Sequence, residues 1–150
     1  MNALLLAAIC YIGGFGQMEL PQGGSDARCL GGGGLRVGCY VDEEAYFAFE
    51  CESAWMENSV SLGADMLVHW QAWRVYGDLF GFSRVDPFFT LGVCGNIGSG
   101  EGVAGPRGGT GFFFHIDEVW SFRVDASAIL DIEGSEEMRY SIAAGFQRSF

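Results

Sequence analysis

Five cysteines, two histidines and the 19 acids are the residues of this chain that could do chemistry. Cys10, Cys29, Cys39, Cys51 and Cys94 are odd in number and contain no C-x-x-C pair, so the ligand spacing of a metal centre is absent. Inside strands a free cysteine behaves as a small apolar side chain. In an oxidising compartment two that lie opposite one another could be bridged, but spacing alone does not pair them. His69 shares a segment with Ser59 and Ser61, yet Ser61 and His69 lie roughly 26 Å apart in an extended chain rising about 3.3 Å per residue, too far to share a proton. His115 is followed by Asp117, an arrangement that reads as turn polarity. There is no G-x-S-x-G motif, and the glycines of 98–109 lack the lysine of a phosphate loop. The expectation is a protein that is not an enzyme and takes no cofactor and no metal.

The remaining polar residues point to pairing. The chain has 150 residues, 19 acids against 8 arginines and a net charge of -11. It contains no lysine, and its arginines are spread singly. A phosphate-binding surface needs clustered positive charge, so nucleic acid is excluded as a partner. Arg36, Glu50, Glu52, Asp65, Arg123, Asp125 and Arg139 fall instead at alternate positions of extended segments, with His69 and Asp131 nearby in the same pattern. Charges held on one face of a sheet and removed from solvent must be paired, because an isolated ion in a low dielectric is very costly. These residues are the expected charge network of an interior, with acids in excess.

The segments that carry them have a side-chain period of two, which belongs to strands. The last one, 136–150, sets Met138, Tyr140, Ile142, Ala144, Phe146 and Phe150 against Arg139, Ser141, Ala143, Gly145, Gln147 and Ser149. Residues 120–132 alternate in the same way over about thirteen residues, long for a soluble strand of about five or six and suited to a tilted membrane strand. Upstream lie 109–115, 86–95, 59–70, 45–55 and 35–41. Residues 3–16 are the expected first strand, with a cleaved signal segment as the competing reading; they have the length of a signal core but no preceding basic residue. The total is eight strands in a single domain over 1–150. The Gly-rich stretches 17–34 and 96–108 are expected to be loops, and 133–137 an acidic hairpin tip. Turns at 41–44 and 116–118 are short and the loops at the other end long, except at 56–58 and 71–84, where Trp73 and Tyr76 are placed at an interface. No run reaches the roughly 18 to 20 apolar residues that a membrane-spanning helix needs.

An eight-stranded sheet with one apolar face can close with that face inward, as a soluble lipocalin-like ligand-binding barrel, or outward toward lipid. The polar face favours the second. Gly38, Ala48, Gly63, Ser121, Ser127 and Ser141 are small enough for the narrow interior of eight strands. Trp55, Trp70 and Trp120 sit at strand ends on the apolar face, where aromatic girdles are expected, with Phe150 at the terminus. A sheet in hydrocarbon must also close to leave no edge. The expected fold is all-β: a closed, eight-stranded, antiparallel, up-and-down transmembrane β-barrel.

The strand ending at Phe150, the segment Asp86-Pro87-Phe88-Phe89-Thr90-Leu91-Gly92, residues 109–115 with the tight turn that follows, and Arg123 on the next strand together resemble the small eight-stranded outer-membrane barrels. These are the proteins similar to the transmembrane domain of outer-membrane protein A. The resemblance spans nearly the whole chain, and Arg148 departs from the aromatic or apolar residue usual near the end. It implies a bacterial outer-membrane location amid lipid and lipopolysaccharide. It also implies insertion by the barrel-assembly machinery through the last strand (Tyr140, Ile142, Phe146, Phe150), and often no catalytic activity. The charge network itself is expected to plug the lumen with salt bridges, leaving a structural or partner-binding role through the loops. A narrow channel and a lipid-modifying enzyme are the alternatives.

Overall fold

The structure, a computed structural model, describes residues 10–20, 30–41, 46–57, 59–70, 84–98, 104–130, 132 and 138–150. Eight strands follow one another: β1 (Cys10–Leu20), β2 (Leu30–Tyr40), β3 (Phe47–Met56), β4 (Ser59–His69), β5 (Val85–Gly98), β6 (Ala104–His115), β7 (Trp120–Leu130) and β8 (Met138–Ser149). Each pairs antiparallel with the next, and β1 pairs with β8 to close a barrel. Large apolar side chains stand outside: Trp55, Leu91, Phe146 and Phe150 are all more than half exposed, while Arg36, Glu50, Asp65 and Arg123 are buried within. An inward apolar face, as in a soluble ligand-binding barrel, is therefore not the arrangement adopted. A continuous apolar outer face is what a sheet solvated by lipid presents.

The strands run further into the Gly-rich stretches than the pattern alone suggests. β1 occupies Cys10–Leu20 rather than 3–16, because Gln17 and Glu19 continue its inward face and Met18 and Leu20 its outward face. Residues 3–9 lie outside the described residues. Gly31–Gly34, expected in a loop, belong to β2. The expected loop 96–108 is largely strand: Asn96 extends β5, and Ala104–Gly108 open β6 with Pro106 turned outward and Arg107 inward. The connections at this end shrink to 21–29, 57–58, 99–103 and 131–137. The longest connection, 70–84, lies at the opposite end, where the barrel's first and last strands begin and finish. The expected asymmetry of long loops against short turns is thus not what forms. Cys29, Trp73, Tyr76, Asp131 and the 133–137 tip lie outside the described residues.

The joint excess of glycine and aromatics has a structural cause. In register, Tyr11 faces Gly38 across the β1–β2 ladder, Phe15 faces Gly34 on one side and Gly145 on the other, and Phe88 faces Gly111. A Cβ at Gly38 would collide with the Tyr11 ring, and one at Gly34 would come 2.7 Å from the Phe15 ring. Glycine leaves the seat into which a neighbouring ring folds, so a narrow lumen can be filled by rings without widening the barrel.

Candidate functional site

The lumen is layered along its axis. Toward the end holding the barrel's termini, Tyr11, Ala48, Leu67, Phe88 and Phe113 form a buried cluster with Tyr40 packed on it. The middle is charged. Toward the other end many inward side chains are small: Ala54 and Ala143 pack beside Phe15, Cys94 beside Ile129, and the hydroxyls of Ser127 and Ser141 are hydrogen-bonded at 2.9 Å.

The charged layer is one connected chain. Tyr11 Oη donates to Glu50 Oε2 at 2.7 Å, and Arg123 Nη1 donates to both oxygens of Glu50 at 3.0 and 2.7 Å. Arg123 Nε reaches Asp125 Oδ1 at 2.8 Å, which also accepts from Arg36 Nη1 at 3.0 Å. Arg36 then pairs with Glu52 at 3.9 Å. Arg107 closes the run, donating to Glu52 and, through two nitrogens, to Asp65. The guanidiniums also lie on rings, Arg36 over Phe15 at 4.1 Å and Arg123 over Phe88 at 4.5 Å. Between Phe15, Arg36, Arg123 and Gln147 there is no room for a water molecule. The oxygens of Glu50, Glu52 and Asp65 gather within 4.8 Å of one another, a spacing that could hold a cation, but Arg123 and Arg107 already supply the positive charge.

Of the residues expected in this network, Arg36, Glu50, Glu52, Asp65, Arg123 and Asp125 come together. Arg139 stands apart, inward and half-buried near the other end of the lumen, where it acts electrostatically on Glu19. Arg107 is the member sequence reasoning missed, because 96–108 reads as a loop. Its signal is the alternation of Gly105, Arg107, Gly109 and Gly111, all inward on β6. With it, Arg36, Arg107 and Arg123 face Glu50, Glu52, Asp65 and Asp125 in this network. Trp70, Trp120 and Phe150 are exposed on the outer face at the terminus end and Trp55 at the other. Arg148 lies outside too, its guanidinium 6.0 Å from the centre of the Trp120 ring. Tyr140, Ile142, Phe146 and Phe150 form the outward row of the last strand.

Both histidines sit at the terminus end. His69 Nδ1 is hydrogen-bonded to Asp86 Oδ2 at 2.9 Å, and His115 Nδ1 to Ser121 Oγ at 2.9 Å, with His115 Nε2 3.9 Å from Asp86. This brings serine, imidazole and carboxylate into sequence, but the last gap exceeds a hydrogen bond. The backbone N–H groups of Ile116, Asp117, Val119 and Trp120 are engaged within the turn and are not free to stabilise an oxyanion. Asp117 serves the turn, accepting from Val119 N at 2.8 Å and Trp120 N at 2.7 Å, which holds its carboxyl below the usual range. Ser61 bonds Cys94 Sγ at 3.1 Å, far from either histidine.

No protein-family model matches the sequence, and no curated protein does. Solved structures do. The N-terminal β-barrel domain of Pseudomonas aeruginosa OprF aligns with a TM-score of 0.70 at 11% identity, covering 95% of this chain and 97% of that one. Neisserial surface protein A (NspA) gives 0.64 at 12%, covering 94% and 97%. The outer membrane protein OprG from Pseudomonas aeruginosa gives 0.62 at 11%, covering 95% of each. At such identities the likeness lies in backbone architecture, and it runs the length of both partners. The chain has the fold of the small eight-stranded bacterial outer-membrane barrels.

Proposed function

We propose that the chain is an integral outer-membrane barrel with a closed lumen, acting as a structural element of the envelope. The observation that carries this reading is the unbroken run Tyr11–Glu50–Arg123–Asp125–Arg36–Glu52–Arg107–Asp65 across the interior. Ion passage would require several charge-assisted bonds to break together, each worth more than a neutral hydrogen bond. The apolar outer face supports burial among lipid and lipopolysaccharide, and the outward row Tyr140, Ile142 and Phe146 of β8, continued by Phe150, is the part that the barrel-assembly machinery would engage. An envelope protein is the partner class the ends of such a barrel could meet. Planar-bilayer recording tests the closed lumen: the inserted protein should give no conductance above baseline at neutral pH. Steady single-channel openings would overturn it, and a freely water-soluble monomer that needs no detergent would overturn the membrane assignment.

A further inference from the structure

Cys10 and Cys39 face one another in the β1–β2 ladder and are joined by a disulfide. Cys10 also adds the end rung of the closing β1–β8 ladder, since its N–H donates to the Phe150 carbonyl at 3.2 Å and its carbonyl accepts from Phe150 N–H at 2.9 Å. A single residue is therefore bonded covalently to β2 and hydrogen-bonded both ways to the end of the chain. We propose that Cys10 and Cys39 are an oxidative modification site whose disulfide latches the closing seam, and that a thiol–disulfide oxidant of the envelope installs it.

The chemistry balances without a metal. One thiolate attacks the oxidant's disulfide, breaking its S–S bond to give a mixed disulfide, and the second attacks the chain's own sulfur in that mixed disulfide, forming the Cys10–Cys39 bond and releasing the oxidant as a dithiol. Two electrons and two protons pass from the chain to the oxidant. The compartment rests on the outer-membrane reading above, because disulfides persist in oxidising surroundings. The latch itself rests only on register. Without the bridge the first residue of β1 can fray from both neighbours by breaking hydrogen bonds alone. With it, β1 cannot leave β2, so β8 keeps a fixed edge to pair with. Cys51 and Cys94 carry no disulfide and lie elsewhere on the barrel, so they serve as controls.

The test is hydrogen–deuterium exchange with mass spectrometry on the full chain in detergent, oxidised, reduced, and as Cys39→Ser. Oxidised protein should yield tryptic peptides 1–28 and 37–74 joined by a bridge that dithiothreitol releases and that persists in Cys51→Ser. On reduction or in Cys39→Ser, exchange at 10–16 and 145–150 should rise at least tenfold, while the β4–β5 ladder is unchanged. Absence of the linked peptides, or an exchange change that is nil or spread evenly over all strands, would overturn the proposal. Cys39→Ser should still show a heat-modifiable gel shift, which establishes that it folds. Should the protein prove soluble without detergent, the membrane reading fails, while the exchange pattern still decides the latch.

Discussion

Replacing Arg123 with methionine removes the most connected cation of the lumen while keeping most of its apolar volume. Its guanidinium makes two bonds to Glu50, one to Asp125 and a face contact with Phe88, and both it and Glu50 are almost wholly buried. Removing one partner of a buried ion pair costs about 3–5 kcal/mol, because the other charge is left desolvated. Loss of the cation–π contacts adds roughly 0.5–2 kcal/mol. Two bonds survive and offset part of this: Tyr11 still donates to Glu50, and Arg36 still holds Asp125. The expected net loss is about 4 kcal/mol, near three powers of ten in the folding equilibrium. Urea titration in detergent micelles, followed by tryptophan fluorescence and by the unboiled gel shift, measures it. The decisive comparison is Arg123→Met with Glu50→Gln in one chain, where the orphaned charge is gone and more than half the loss should return. A single-variant cost below about 1 kcal/mol, or a double variant additive within about 0.5 kcal/mol, would refute the buried-pair account.

Gly38→Val should lower stability by about 1–3 kcal/mol or more, since its side chain takes the seat of the Tyr11 ring, whereas Gly14→Ala, whose added methyl meets its nearest neighbours at an ordinary 3.9 Å, should change stability little; matched urea midpoints distinguish them. Phe150→Ala should slow the appearance of the heat-modifiable form in vesicles severalfold while moving the unfolding midpoint little, because the ring is 70% exposed; equal folding rates would argue against a role in assembly. The carboxyl of Asp117 is held below its usual range by two backbone N–H groups, so its contribution to stability is present above the ordinary aspartate range and is lost as pH falls through the depressed value. The stability gap between wild type and Asp117→Ala should therefore narrow between pH 7 and pH 3, and a gap independent of pH would sink this reading.

The number of strands and the orientation of their faces are legible because they depend on a local rule: alternate residues point to opposite sides. Tyr140 to Phe150 and Phe122 to Leu130 announce their faces without knowledge of any neighbour. The ends of strands are not legible in the same way. Gly31–Gly34 look like chain breakers until their neighbours are known: Gly34 lies under the Phe15 ring of β1, and Gly32 against Met56 of β3. Arg107 was hidden because it lies between Pro106 and Gly108, where the alternating row on either side of it is glycine and shows no apolar face. Six charges of the lumen network could be named from parity, but not the order in which they bond, since register across eight strands decides that Asp125 meets both Arg123 and Arg36. The pairing of Cys10 with Cys39 and the approach of His115 to Asp86 likewise depend on which strands are neighbours.

The glycine seats bear on how such a sequence can change. At Tyr11 and Gly38, at Phe15 and Gly34, or at Phe88 and Gly111, the fit is stored as a missing atom on one strand and a ring on another. Neither position can drift alone: a larger residue at the seat expels the ring, and a smaller residue opposite leaves a hole. Such joints can be exchanged only as sets, and an exchange can move a ring from one strand to its neighbour while the lumen keeps its filling. Position-by-position similarity would then erode quickly while the backbone stayed put, which is the relation seen here, with close agreement of architecture at 11–12% identity.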